Sequence, residues 1–273
     1  MSRTARIAVC GVGGRMGSQI LNAVRAEDEL IVVGATERPG TQQIGLDAGL
    51  LTGAGPLEVP ICSSLEAALD RAAADVVIDF TTATASLHHA DVCAARGVGL
   101  VVGTTGFTAQ EKARLSSHAQ KIPLLMAPNM SVGVNVLFQL VTECAAALGP
   151  AYECEVVELH HRMKKDAPSG TALRLAEAAA KGQGLGPEAF VYARHGDTGA
   201  RAPGTIGLQA LRGGDVVGEH TVYFLADGER LELTHRATSR DNFARGAVRA
   251  ARWLHGKEPG LYDMQDVLGF RKS

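Results

Sequence analysis

The stretch that decides the fold is Arg6-Ile7-Ala8-Val9-Cys10-Gly11-Val12-Gly13-Gly14-Arg15-Met16-Gly17, near the start of the 273-residue chain. Its apolar first part predicts a buried strand, and the apolar spacing that follows predicts a helix over 15–25. Glycines in such a turn let the backbone approach a pyrophosphate, whose charge the helix N-terminus stabilises. The glycine spacing is G-x-x-G-x-x-G, because Met16 stands where the common fingerprint has glycine. The predicted dinucleotide-binding residues of this turn are Gly11, Val12, Gly13, Gly14, Arg15, Met16 and Gly17.

Two charged residues, Glu37 and Arg38, follow the second predicted strand at 30–35. Glu37 would accept hydrogen bonds from the hydroxyls of the adenosine ribose. Arg38 would pair with a 2′-phosphate. The pair leaves both NADH and NADPH open as cofactors, and two solvated charges in a turn would give the same pattern.

Alternation of short apolar strands with helical patterns continues to about residue 127. This rhythm predicts an α/β fold with a doubly wound parallel sheet, in which ligands bind beyond the carboxyl ends of the strands. We therefore expect the loops after two strands to line the nicotinamide. Their residues are Gly103, Thr104 and Thr105, then Ala127, Pro128, Asn129 and Met130. Asp79-Phe80-Thr81 would line the same cleft, or Thr81 or Thr82 would cap a helix.

The alternation of strands and helices ends after Pro128. A long helix is predicted over 132–148, a strand over 153–159 and a helix over 170–181. Three β-rich stretches follow near 205–211, 216–225 and 231–237, separated by glycine- and aspartate-containing turns that suit antiparallel connections. The second part is thus predicted to be a smaller α+β domain, with helices on one face of a mixed, largely antiparallel sheet.

The segment from Glu158 to Ala172 is the richest in reactive groups. His160 and His161 end a strand, Lys164 and Lys165 add positive charge, and Ser169-Gly170-Thr171 begins a helix. A helix N-terminus offers unpaired amides to a carboxylate, and histidine suits proton donation near neutral pH. The pattern predicts a dicarboxylate site beside a proton donor, although an ordinary solvated basic loop would share these residues. A metal site is not expected, since adjacent histidines on a strand point to opposite faces.

Composition excludes several other classes of protein. A formal net charge of -2 and 4% aromatic residues argue against nucleic-acid binding. Five cysteines without Cys-x-x-Cys spacing predict free thiols, as in a reducing cytoplasm. No apolar run approaches the roughly 18 residues of a membrane span, and the N-terminal apolar stretch is too short for a signal peptide. We therefore expect a cytoplasmic protein.

These stretches together resemble the 4-hydroxy-tetrahydrodipicolinate (dihydrodipicolinate) reductase family. The likeness runs through most of the chain and is most specific at His160-His161-Arg162, Lys164 and Asp166–Ala172. The resemblance implies reduction of a cyclic dicarboxylate to tetrahydrodipicolinate with NADH or NADPH, in lysine and diaminopimelate biosynthesis. It also implies a homotetramer assembled through the second domain.

Residue roles follow from the same resemblance. His160 would protonate the substrate and Lys164 would be a second donor, while His161, Ser169, Gly170 and Thr171 would hold carboxylates. The dinucleotide-binding domain would comprise 1–130 and 241–273, and the substrate-binding and oligomerisation domain 131–240. Two alternatives remain: another two-domain NAD(P)-dependent reductase of small carboxylates, or a non-catalytic dinucleotide sensor.

Overall fold

A computed structural model describes residues 4–53 and 55–271 of the chain. These residues form two compact units, the first made of the chain up to Ser131 and from Asp241 onward, the second of Val132–Arg240. Residues 1–3, 54, 272 and 273, which the predicted dinucleotide-binding domain includes, lie outside the described residues.

The secondary structure alternates strands and helices in the first unit and is richer in strands in the second. The strands are β1 (Ala5–Cys10), β2 (Leu30–Thr36), β3 (Ile61–Cys62), β4 (Val76–Asp79), β5 (Gly99–Val102), β6 (Pro123–Met126), β7 (Glu153–His160), β8 (Phe190–Tyr192), β9 (Ile206–Arg212), β10 (Gly218–Ala226), β11 (Glu229–Ala237) and β12 (Gly260–Tyr262). The helices are α1 (Arg15–Arg25), α2 (Ala48–Leu51), α3 (Leu65–Arg71), α4 (Ala83–Arg96), α5 (Ala109–Ser117), α6 (Val132–Leu148), α7 (Gly170–Gln183), α8 (Asp241–Leu254) and α9 (Met264–Val267).

The sheet of the first unit has the order β12-β6-β5-β4-β1-β2-β3, and every pairing is parallel. Its strands are apolar because helices cover both faces, so β4 and β5 are buried along their whole length. The strand order reverses between β1 and β4, which is the point where such sheets bind their ligands. The predicted doubly wound α/β fold is confirmed.

The chain returns to the first unit through α8, a helix rich in small residues. Gly246 packs so closely that a Cβ there would lie 1.8 Å from the carbonyl oxygen of Met130. Glycine at this position therefore lets α8 contact the chain that follows β6, while Val248 and Leu254 are buried in the same unit.

The second unit has a mixed sheet of order β11-β10-β7-β9-β8. β10 is antiparallel to both β7 and β11, whereas β9 is parallel to β7 and to β8. The mixed sheet was predicted, but the glycine turn after β9 does not join neighbouring strands. It crosses the end of β7, where Gly213 N donates to His160 O and His161 N donates to Val216 O.

Helices α6 and α7 cover one face of this sheet and share a core with Val156, Val222 and Phe224. The segment Val132–Ala151 is long and apolar enough to cross a membrane by length and composition alone. The expectation that no apolar stretch approaches the length of a membrane span was therefore wrong. An apolar helix can contain isolated polar residues, such as Asn135, without ending at them. In the structure Val134, Val141 and Ala145 of this helix pack in the core of the second unit.

Several short elements had no counterpart in the sequence prediction. They are α2, β3, β8, β12 and α9, each with two to four residues. Such elements contain too few residues to show a period. Asp47 illustrates what fixes one of them, because its carboxylate caps α2 through the amides of Gly49 and Leu50 and also accepts from Leu57 N.

Candidate functional site

The glycine turn after β1 is held in a shape that only glycine permits at two positions. Gly11 has a φ of +71°, and a Cβ on Gly17 would lie 2.0 Å from the carbonyl oxygen of Gly11. The amides of Gly11 and Val12 both donate to Thr36 O, at 2.8 and 3.1 Å. The turn is thus tied to the end of β2, and the first turn of α1 begins directly behind it.

The N-terminus of α1 is suited to an anion. Its N-cap is Gly14, which has no side chain to accept hydrogen bonds from the first-turn amides. Arg15 is the first helical residue and Met16 is half-buried beside it. Free first-turn amides and the positive end of the helix dipole are the features that bind a pyrophosphate, so the residues present fit a dinucleotide.

The two charged residues after β2 lie beside this turn. The carboxylate of Glu37 accepts from Gly13 N at 2.9 Å and from Arg38 N at 2.8 Å. Both side chains are at least partly exposed. The structure therefore brings Glu37 and Arg38 to the glycine turn, where the adenosine end of a dinucleotide is expected.

The loops after β4, β5 and β6 meet at the same edge of the parallel sheet. Gly103 N donates to Asp79 O, Ala127 N donates to Val102 O, and Thr104 Oγ1 accepts from Thr81 N at 3.0 Å. Among the predicted nicotinamide-lining residues, Ala127 and Met130 are buried, Gly103, Thr104 and Asn129 are half-buried, and Thr105 and Pro128 are exposed. These seven residues are brought to one edge, and their cofactor contacts remain a prediction.

In the second unit, residues of two neighbouring strands, β7 and β9, form a buried charged cluster around His160. Glu158 and His160 lie on the helix-covered face of β7, and Arg212 ends the adjacent β9 opposite His160. The His160 Nδ1 atom lies 2.5 Å from Glu158 Oε2. Arg212 donates to both oxygens of the same carboxylate, at 2.8 and 2.9 Å. A bidentate guanidinium contact fixes a carboxylate firmly, so the partner of His160 is itself held in place.

Glu158 is ionised in this environment although its side chain is inaccessible to solvent. Burial opposes its charge, but hydrogen bonds from His160, Arg212 and the Ser169 amide outweigh burial and lower its pKa to about 2. The ionised carboxylate of Glu158 can only accept a hydrogen bond, so the Nδ1 atom of His160 carries the proton between them. The opposite nitrogen, Nε2, is not engaged by this carboxylate.

A second histidine packs against the first. The rings of His160 and His220 meet edge to face with centroids 5.1 Å apart. Burial, followed by the nearby charge of His160, lowers the pKa of His220 to about 3, so its imidazole is neutral at physiological pH. Its Nε2 lies within hydrogen-bond distance of Ser169 Oγ, at 3.3 Å.

Helix α7 begins at this cluster. Ser169 is its N-cap, with the amide donating to Glu158 Oε1 at 3.0 Å and the hydroxyl accepting from Ala172 N at 3.2 Å. Gly170 is exposed and Thr171 half-buried in the first turn, where amides lack acceptors within the helix. The buried hydroxyl of Ser169 is engaged within the protein, whereas the first-turn backbone faces a more open region.

The loop between β7 and α7 holds the remaining predicted residues. Lys164 Nζ lies 2.9 Å from Asp166 Oδ1, and its side chain is 21% exposed. Arg212 also donates to Asp166 O at 2.6 Å, which ties this loop to the buried cluster. His161 is half-buried and is fixed through its backbone amide. The structure thus brings Lys164, Ser169 and His160 around one charged network.

The sequence did not single out Glu158, Arg212 or His220. His220 has no grouped partners in the sequence, and it joins the cluster because β10 lies antiparallel to β7 with His220 opposite Glu158. Arg212 is far from β7 in sequence and reaches it only through parallel pairing. The alternation of side chains along β7 could have indicated Glu158, because residues two apart on a strand lie on the same face and Glu158 therefore lies beside His160.

Metal binding finds no support in the described part of the chain, where no group of three or more His, Cys, Asp or Glu side chains is arranged to hold an ion. All five cysteines are free thiols.

Comparison with known proteins gives matches over nearly the whole chain. Two family models match, "Dihydrodipicolinate reductase, N-terminus" over residues 5–130 and "Dihydrodipicolinate reductase, C-terminus" over residues 133–268. A 4-hydroxy-tetrahydrodipicolinate reductase of Myxococcus xanthus is 58% identical, over 98% of this chain and 99% of the relative. That of Geobacter sulfurreducens is 51% identical, over 97% and 99%.

Solved structures show the same fold. A dipicolinate-bound dihydrodipicolinate reductase from Paenisporosarcina sp. TG-14 superposes with a TM-score of 0.76 at 23% identity, covering 95% of this chain and 97% of that one. An amine dehydrogenase from Mycobacterium smegmatis gives a TM-score of 0.61 at 15% identity, with 94% of each chain covered. Together with the match to the N-terminal family model, this fold indicates that the first unit is a nicotinamide dinucleotide-binding domain.

Proposed function

Since the chain belongs to the dihydrodipicolinate reductase family, an oxidoreductase family, we propose that it reduces 4-hydroxy-tetrahydrodipicolinate to tetrahydrodipicolinate in lysine and diaminopimelate biosynthesis. The net change is loss of water and addition of one hydride and one proton. The observation that supports this chemistry best is the buried Glu158–His160–Arg212 cluster at the start of α7.

The proton comes from His160. Its Nδ1 donates to Glu158, so Nε2 is the nitrogen that delivers the proton to the substrate. A Cβ on Gly218 would lie 2.9 Å from that Nε2, and glycine there keeps the ring unobstructed. Lys164 is the second donor. Its ion pair with Asp166 orients the ammonium.

The substrate carboxylates are held by positive charge and backbone amides. The first-turn amides of Gly170 and Thr171 at the N-terminus of α7 meet one carboxylate, as helix N-termini do. Ser169 fixes that turn by capping it, and His161 with Lys164 adds side-chain donors. A dianion with two separated carboxylates matches this arrangement of donors.

The reductant, when bound, supplies the hydride. We propose that the turn Gly11–Gly17 holds its pyrophosphate and Glu37 its adenosine ribose, and that the loops at 79–81, 103–105 and 127–130 hold the nicotinamide end. Glu37 and Arg38 together suit both NADH and NADPH. Arg38→Ala should weaken binding of NADPH and leave that of NADH unchanged in paired fluorescence titrations. Equal weakening of both would contradict this role of Arg38.

The oligomer we propose is a homotetramer assembled through the second sheet. The residues of β7, β9 and β10 that alternate with the core residues lie on the face opposite α6 and α7. Leu159, Leu211 and Tyr223 are among them, and Leu211 is 51% exposed. A Leu211→Glu variant that stays tetrameric in sedimentation would contradict this interface. A cytoplasmic location agrees with the free thiols.

The activity is tested by supplying pyruvate, aspartate semialdehyde and the preceding synthase, and following nicotinamide absorbance. We expect absorbance to fall only when all components are present. Absence of consumption with both NADH and NADPH, from protein that binds either of them, would reject catalysis in favour of a dinucleotide sensor. Consumption with another small carboxylate alone would favour a different reductase.

A further inference from the structure

A buried ion pair lies beneath the carboxyl edge of the parallel sheet. Asp79 ends β4 and is fully buried, and its Oδ2 lies 2.9 Å from Nδ1 of His89 on α4. The side chain of His89 is only 12% exposed. Asp79 begins the loop 79–81 that is proposed above for the nicotinamide end, whereas His89 has no role in the chemistry proposed above.

The pair is charged. Burial opposes the positive charge of His89, but its hydrogen bonds to Asp79 and Cys10 and the charge of Asp79 together outweigh burial and raise its pKa. The thiol of Cys10 lies beside the imidazole, and burial raises the pKa of that thiol, so Cys10 is neutral at physiological pH. A buried charged pair is retained at a cost in desolvation, which makes a role beyond packing worth testing.

The other oxygen of Asp79 organises the loop after β4. Oδ1 accepts from Thr81 Oγ1 at 2.6 Å and from Thr81 N at 2.9 Å. The same Thr81 amide donates to Thr104 Oγ1 at 3.0 Å. Ser86 of α4 contacts Thr104 Oγ1 at 2.9 Å. His89 is therefore linked through one carboxylate to hydroxyls on two loops.

The loops after β4 and β5 are also locked by packing. The ring of Phe80 lies over Gly103, where an added Cβ would be 2.2 Å from the ring carbons. Gly103 N donates to Asp79 O at 2.9 Å. The backbone of Asp79 thus supports the second loop while its side chain supports the first, so both loops share the orientation of Asp79.

We propose that His89 is a positioning residue for the nicotinamide end of the cofactor. By holding the Asp79 carboxylate, it fixes Thr81 and Thr104 in the orientation in which their loops receive the nicotinamide ring. This inference rests on the cofactor site proposed above. The proposed adenosine end lies at Glu37 and the glycine turn, where the Glu37 carboxylate accepts from Gly13 N.

The test compares two ligands on the intact protein. NADH spans both ends of the proposed site, whereas ADP-ribose lacks the nicotinamide. His89→Leu removes charge and donor, and His89→Gln keeps a donor for Asp79. His88→Gln is the matched surface control, since His88 is the exposed neighbour on α4 that pairs with Glu66. Val92→Ala, in the core on the same helix, controls for lost stability.

We expect His89→Leu to weaken NADH binding about tenfold or more, as for loss of a charge-assisted contact, while ADP-ribose binding stays unchanged. His89→Gln should recover part of the loss, and both controls should bind like the unaltered protein. The inference is overturned if both ligands weaken equally, if neither weakens, or if Val92→Ala reproduces the effect. Should the unaltered protein bind ADP-ribose but not NADH, the proposed cofactor site fails instead.

Discussion

Replacing Glu158 with Gln removes the charge shared by His160 and Arg212 while keeping the shape of the side chain. In the folded protein this carboxylate accepts two hydrogen bonds from Arg212, one from His160 and one from the Ser169 amide. An amide group presents one acceptor oxygen and one donor NH₂. At least one of these donors therefore loses its acceptor in the variant.

The size of the effect follows from the pKa. A carboxyl group whose pKa falls from 4.5 to about 2 on folding contributes about 3 kcal/mol at neutral pH. The side chain is inaccessible to solvent, so screening does not reduce this figure. Because the folded pKa is the lower one, the contribution is complete above pH 4.5 and is lost as pH falls towards 2.

The assay is urea unfolding followed by circular dichroism, on the unaltered protein and on Glu158→Gln across this pH range. We expect the variant to be less stable by about 3 kcal/mol at neutral pH and the difference to shrink towards zero near pH 2. Glu153→Gln, an exposed carboxylate on the same strand, should show little difference at any pH. A Glu158→Gln variant as stable as the unaltered protein at neutral pH would refute the reasoning.

Two further substitutions test the two halves of the proposed site. Gly17→Ala places a Cβ 2.0 Å from Gly11 O, so we expect its NADH affinity to fall about tenfold or more. Gly14→Ala is the control, because its nearest contact is at 3.2 Å, and it should bind NADH more tightly than Gly17→Ala. Equal NADH affinities of the two variants in a titration would count against the glycine turn as the cofactor site. Lys164→Gln should lower kcat/KM by about 10²-fold or more and leave the affinity for NADH unchanged. Lys165 is exposed, and Lys165→Gln should have no effect. If both lysine variants keep full kcat/KM, Lys164 has no role as a proton donor.

The fold of the first unit could be predicted because its signals are local. Each strand is a short apolar run and each long helix has its own period, so α1 begins and ends where the sequence pattern does. Strand adjacency in the second unit is different, since β7 lies between β9 and β10, which follow each other in the chain. Turn residues indicate a reversal of direction but not which strand becomes the neighbour.

The same distinction between local signals and strand pairing explains which residues of the site could be predicted. His160, Lys164 and Ser169 lie within one segment, and their residue types and spacing are sufficient to predict a proton donor beside a helix N-terminus. Arg212 and His220 join them only through strand pairing across long stretches of chain. His89 acts through a residue on another element, and nothing in its own neighbourhood on α4 distinguishes it from His88 before the fold is known.

The central claim, that His160 delivers the proton, is tested most directly by comparing turnover and cofactor binding in His160→Gln. The account predicts that turnover of the synthase-generated substrate falls about 10²- to 10⁴-fold while the Kd for NADH is unchanged. Turnover equal to that of the unaltered protein would contradict it.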